Sequence, residues 1–250
     1  MKKAQALRAI QQASLTMADN MNKMLKVRFA IPESMQALAS SKKTIVDLAK
    51  VFPEISPEQF IIDHYQEEID FLKNIPSTIY PMIIVYSITM FEVFLSELAK
   101  TLMSYFPQSL KSSEKTMSYA AILDFDNIHA LREHIIETDL MKFSFGSIKD
   151  RIKFLEKRYN LAFKYTRVKG IRNNWNCIEY DSILEVHAAR NLIVHNAGIV
   201  NKIYLNEVSS THYKLGEALN IDETYLLDAI STLFRVQFAF ARVCREKITG

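Results

Sequence analysis

The run Arg190-Asn191-Leu192-Ile193-Val194-His195 sets a guanidinium and an imidazole inside an otherwise apolar stretch. A guanidinium keeps its proton, and its planar fork gives a phosphate two parallel charge-assisted hydrogen bonds. An imidazole exchanges a proton near neutrality, as general acid–base catalysis requires. Cleaving RNA without a metal needs both: a group that takes the ribose 2′-hydroxyl proton and serves the leaving 5′-oxygen, and a fixed charge for the pentacoordinate phosphorus. Asn191 and Asn196 follow the two residues and are candidates to orient the imidazole or the ribose. Asn191, one turn before His195, is the better placed. The plain alternative has Arg190 paired with a carboxylate at a helix junction and His195 bonded to a backbone carbonyl.

Spacing puts these residues on one helix. Asn176 and Glu179 fit an N-cap with a reciprocal acid at N3. Ile178, Ile183, Val186, Ala189, Ile193 and Ala197 recur mostly at three- and four-residue steps, and Gly198 suits a left-handed end. The expected helix covers roughly residues 177 to 197. His187, Asn191 and His195 then form one stripe. Arg190 and His195 stand about 140° apart around the axis. Either the arginine stem wraps around, or a two-fold axis near this helix brings two copies of the motif to one groove. His187 and His195 lie about 12 Å apart along the axis, too far to share a metal. The chain has no His-Glu-x-x-His, no Gly-rich phosphate loop and no Gly-x-Ser-x-Gly elbow. No metal or other cofactor is expected.

Arginine, a polar residue, three apolar residues and histidine resembles the signature of the HEPN superfamily. "ARNLIVHNAGIV" is similar to the form common in prokaryotic members, where Asn follows both Arg and His and a Gly closes the helix. "FEVFLSELAK", Phe91 to Lys100, is similar to an earlier core helix of that family that often carries an acid. The likeness covers about 25 residues closely and the rest only in topology. It implies an all-helical fold and a homodimer. It also implies a metal-independent endoribonuclease that cuts single-stranded RNA, leaving a 2′,3′-cyclic phosphate and a 5′-hydroxyl. Arg190, His195 and Asn191 would be catalytic, Glu92 and Asn196 supporting, and His187 structural or peripheral. Such a protein would be a toxin or anti-phage effector, with an antitoxin or regulatory protein as a further partner. Other members keep the fold as non-catalytic modules that bind nucleotide, RNA or protein.

The charge distribution agrees with an RNA partner. The net charge is +3, but residues 54 to 139 hold fourteen acids and five bases, whereas Lys142 to Arg172 hold ten bases and two acids. Basic side chains neutralise phosphates and aromatics stack on unpaired bases. Lys149, Arg151, Lys153, Lys157, Arg158 and Lys164 are therefore candidate RNA contacts. The interleaved Phe143, Phe145, Phe154, Tyr159, Phe163 and Tyr165 read better as core.

The elements needed to hold this site are helices. Five glycines and six prolines in 250 residues disfavour a turn-rich β fold. Pro32 divides two expected helices, at 2 to 28 and 34 to 51. Ser56-Pro57 opens a third that breaks before Pro76, and a buried helix spans 79 to 105. Helices are expected near 116 to 137 and 147 to 159. A short hairpin is expected after residue 201, and a last helix is capped by Asp222. The result is an all-α, HEPN-like bundle over 76–250 with an N-terminal helical extension over 1–75. Polar residues interrupt the start of the chain, and Ile79 to Phe91 is too short to span a bilayer, so a cytoplasmic protein away from membranes is expected. Cys177 and Cys244 are isolated and indicate no disulfide framework.

Overall fold

Two helices of unusual length carry the architecture. In the structure, a computed structural model, residues 1–51, 59–111, 116–163, 180–208 and 211–250 are described. Helix α1 is Lys3–Val51 and α2 is Gln59–Tyr105. A 3-10 turn at Pro107–Leu110 leads to α3 (Tyr119–Leu123), α4 (Ile128–Phe145) and α5 (Ile148–Tyr159). Then follow α6 (Tyr180–Asn196), α7 (Lys202–Glu207) and α8 (Glu223–Thr249). The fold is all-α, and no strand occurs among the described residues. The expected helix starts at Ser56 and Asn176 lie outside those residues, as does Lys164.

Pro32 does not divide α1, and Pro76 and Pro81 lie within α2. A proline inside a helix removes one hydrogen bond and kinks the axis, but packing along the rest of the helix can outweigh that loss. Here the two helices run antiparallel along a shared seam. On α1 the half-buried positions include Met24, Arg28, Met35, Leu38, Lys42 and Ile45; on α2 they include Tyr65, Ile69, Leu72, Ile75 and Ile79. Alternating steps of three and four keep such a seam facing a partner helix.

One core joins α1, α2, α4, α5, α6 and α8. Ala6, Ile10, Met17 and Met21 of α1 belong to it, beside Ile84, Phe91, Leu95 and Leu98 of α2 and Leu233 and Phe240 of α8. The first 28 residues are thus part of the bundle, and the boundary expected at residue 75 falls inside α2. Helix α8 lies antiparallel to α1. Lys3 Nζ donates to the Thr249 carbonyl at 3.0 Å, Gln237 Nε2 donates to Ser14 Oγ at 2.9 Å, and Arg28 pairs with Glu223 at 2.5 Å. Past Arg28, α8 has ended. Between Met21 and Ile83 no described side chain is fully buried. The two long helices therefore continue as an arm of about 35 Å, at 1.5 Å per residue.

Caps explain where the shorter helices begin. Ser118, Asn127, Ser147, Asn201 and the expected Asp222 each accept a backbone N–H in the first turn. The helix expected over 116 to 137 is split, because Asn127 restarts the chain as α4. After α6 the described residues hold a single bridge, between Ile199 and Ala218, and the short α7, in place of the expected hairpin. Phe143, Tyr159 and Phe163 are core residues, as read from their spacing, whereas Phe145 is exposed.

Helix α2 contains a stretch, His64–Tyr105, that is long and apolar enough to cross a membrane. Half of its most apolar window is buried inside the fold.

Candidate functional site

Helix α6 is held on four sides, by α2, α5, α7 and α8. Its buried Ile183 and Val186 enter the main core. Ala188, Ala189 and Leu192 form a second cluster with Val200, Tyr204 and Val208. Glu185 adds a polar clamp: the Tyr204 and Tyr225 hydroxyls each donate to its carboxylate at 3.0 Å, tying α6 to α7 and α8. Burial pushes the Glu185 carboxyl and both tyrosine hydroxyls up from their ordinary values.

The C-terminal end of α6 closes through two successive residues of positive φ. The Gly198 N–H reaches the Leu192 carbonyl at 3.0 Å, and Ala197 sits at φ 51° and Gly198 at φ 76°. The left-handed residue that stops the helix is Ala197, one position earlier than the glycine the sequence pointed to. Asn196 lends its side-chain amide to the Ile199 carbonyl in this turn. Its role here is to shape the exit of α6.

Arg190 faces α2, where Glu92 comes within 3.7 Å of Nη2. Its Nη1 donates to Asn191 Oδ1 at 3.0 Å, and its buried Nε has no hydrogen-bond partner among the described residues. A guanidinium has five N–H donors. Arg190 is therefore held from one side with donor capacity left over. Asn191 orients the guanidinium rather than the imidazole.

Glu92 gathers more than Arg190. His187 Nε2 stands 3.5 Å from Oε1, so the histidine expected to be structural or peripheral belongs to this cluster. Burial alone would push the Glu92 carboxyl up. The His187 contact and the charges of Arg151, Arg190 and His187 together hold it below its ordinary value. His187 was not legible as a member of the site, because it reaches Glu92 only through tertiary packing. His195, by contrast, is exposed and makes no hydrogen bond or ion pair among the described residues. The expected angular separation thus appears as a division of labour: Arg190 is braced against α2 and His195 opens to solvent.

The basic helix α5 also divides. Lys149, Lys153 and Lys157 are exposed and four residues apart, forming one stripe. Arg151 and Arg158 do not join them. Arg151 is 8% exposed, donates Nε to the Gly146 carbonyl at 2.9 Å and also bonds the Ser144 carbonyl. Arg158 pairs with Asp139 at 3.1 Å and donates Nε to the Ser109 carbonyl at 2.9 Å. Both were expected to face RNA; both instead satisfy carbonyls where helices end. Lys153 stands about 200° around α5 from Arg151, so the stripe faces away from the Glu92 junction.

Among the described residues no three His, Cys, Asp or Glu side chains group as a metal site. No family model, curated protein or solved structure matches the chain.

Proposed function

We propose that the protein is a metal-independent endoribonuclease of HEPN type, acting on single-stranded RNA as a homodimer. The observation that carries this reading is Arg190. A partly buried guanidinium with an unpartnered Nε and one loose carboxylate contact is poised for an anion with several acceptor oxygens. Glu92 and Asn191 hold it in place. His195, five residues on and open to solvent, takes the 2′-hydroxyl proton. The freed 2′-oxygen attacks phosphorus while Arg190 neutralises the growing charge. His195 then returns that proton to the departing 5′-oxygen, giving a 2′,3′-cyclic phosphate and a 5′-hydroxyl. The lysine stripe of α5 binds flanking phosphates away from the cut. A cell would use such an enzyme as a growth-restraining toxin or anti-phage effector, and an antitoxin or other regulatory protein would hold it in check.

A second reading rests on the same exposed His195. With no side chain among the described residues orienting its ring, the module would bind RNA without cutting it. One assay separates the two readings. Wild-type protein incubated with an unstructured RNA in excess EDTA should yield fragments with cyclic phosphate ends. His195→Ala should slow the cut about 10²–10⁴-fold with an unchanged fold. Binding without cleavage in the wild type supports the second reading, and neither binding nor cleavage removes both.

A further inference from the structure

A groove of about 520 Å³ runs between the antiparallel helices α1 and α8. The buried Ser14 and Ala241 floor it, and Leu15 and Phe238 wall it. Both walls are large apolar side chains, 56% and 55% exposed. The Ser14 hydroxyl is already occupied, since it accepts from Gln237 Nε2 at 2.9 Å within the core. The apolar face continues along α8 through Phe234, whose ring stacks on Phe238 at 6.5 Å, to the exposed Leu227. Phe234 and Leu227 stand about 40° and 20° around α8 from Phe238, so the three share one side of the helix. From Leu227 to Phe238 this face is about 16 Å long, or three turns.

The charge around the groove has one sign. Residues 1–18 and 235–250 hold seven bases and one acid. That acid, Glu246, pairs with Arg242 at 2.7 Å. Arg245 lines the groove beyond Phe238, and the contacts of Lys3 with Thr249 and of Ser14 with Gln237 set Arg8 across from it. Arg8 and Arg245 are exposed and make no hydrogen bond or ion pair among the described residues.

We infer that this groove receives an acidic amphipathic helix of a partner protein. Such a helix lays an apolar face, repeating at i, i+3, i+4 and i+7, into an apolar furrow. Leu15, Phe238 and Leu227 take that face, and carboxylates at one end of it meet Arg8 and Arg245. Because the bases lie at one end of the groove, they also fix the direction in which the helix lies. Other occupants suit it poorly. Single-stranded RNA stacks successive bases on aromatic rings, and Phe238 is the one aromatic residue among those lining the groove. The chain's own run from 164 to 179, with four bases and one acid, has the wrong charge. The inference goes beyond the proposed function. Phe238 stands about 120° around α8 from Thr232, which faces α6 beside Ser182 and Glu185, so the groove and the helix of Arg190 lie on different sides of α8.

The test is a selection of displayed random peptides on the full-length chain. Enriched peptides should carry aliphatic residues at helical spacing, with glutamate or aspartate towards one end. A synthetic copy should bind the wild type with an affinity that falls as salt rises. Leu15→Glu and Phe238→Glu should each weaken it about tenfold or more, with the circular dichroism of the wild type. Arg8→Glu with Arg245→Glu should lose the acidic peptide and gain its lysine-for-glutamate counterpart, whereas Lys153→Glu with Lys157→Glu should change neither. A selection that enriches nothing, or only neutral or basic peptides, overturns the inference. So do acidic peptides that bind the groove variants as tightly as the wild type. Binding of oligouridylate that Phe238→Ser abolishes would give the groove to RNA, and self-association that Phe238→Glu abolishes would give it to a second copy; either result overturns the inference. The cleavage assay judges the proposed function separately.

Discussion

At the scale of single residues, the basic side chains of α5 separate by what they touch. Arg158 and Asp139 are nearly enclosed, 16% and 6% exposed, and breaking such a pair leaves a buried charge. Arg158→Ala should therefore cost about 3 kcal/mol of stability, read as a fall in the denaturant midpoint. Lys153→Glu with Lys157→Glu should leave that midpoint alone and weaken RNA binding at low salt, with the difference shrinking as salt rises. Glu185 gives a pH signature. Burial holds its folded value above the ordinary 4.5, so the folded chain keeps a proton that the unfolded chain releases. Stability should then fall as pH climbs from about 4.5 to the folded value and stay level above it. Glu185→Gln removes the charge, so the thermal midpoint should lose that fall; an unaltered profile would refute the assignment.

At the scale of elements, the helices whose limits are set locally were legible and those set by packing were not. The extent of α5 and the Asp222 cap of α8 follow from side chains within one turn of the boundary. Pro32 and Pro76 misled because a breaker is read locally, whereas the seam that carries α1 and α2 past them joins distant residues. The site divides in the same way. Arg190, Asn191 and His195 are visible as a motif on one helix. Glu92 was found by likeness to an earlier helix, and His187 only by its approach to it. Ala197 shows the limit of boundary reading by one residue. A non-glycine residue in the left-handed region costs roughly 1–2 kcal/mol. Ala197→Gly should recover about 1 kcal/mol of it, seen as a higher thermal midpoint, with no loss of cleavage.

At the scale of the whole molecule, the position of the two-fold axis decides whether the two sites are shared. A two-fold axis beside α6 would bring both copies of the motif to one groove, with Arg190 of one chain serving His195 of the other. Mixing Arg190→Ala with His195→Ala protein should then regain part of the activity that both parent mutants lack. A mixture that stays inactive would leave each chain with its own complete site.

The antiparallel lie of α1 on α8 bears on when the chain can close its bundle. Ser14 and Gln237, bonded inside the core, are 223 residues apart in sequence. Closing contacts so distant carries a loop-entropy cost that must be met before they form. Ribosomes add about 5–20 residues per second. Until α8 has been made, α1 has no α8 to rest on. The helix that carries Arg190 and His195 is made before α8 but packs against it. On the proposed function, the RNA-cutting site is thus braced only after the codons for α8 have been read.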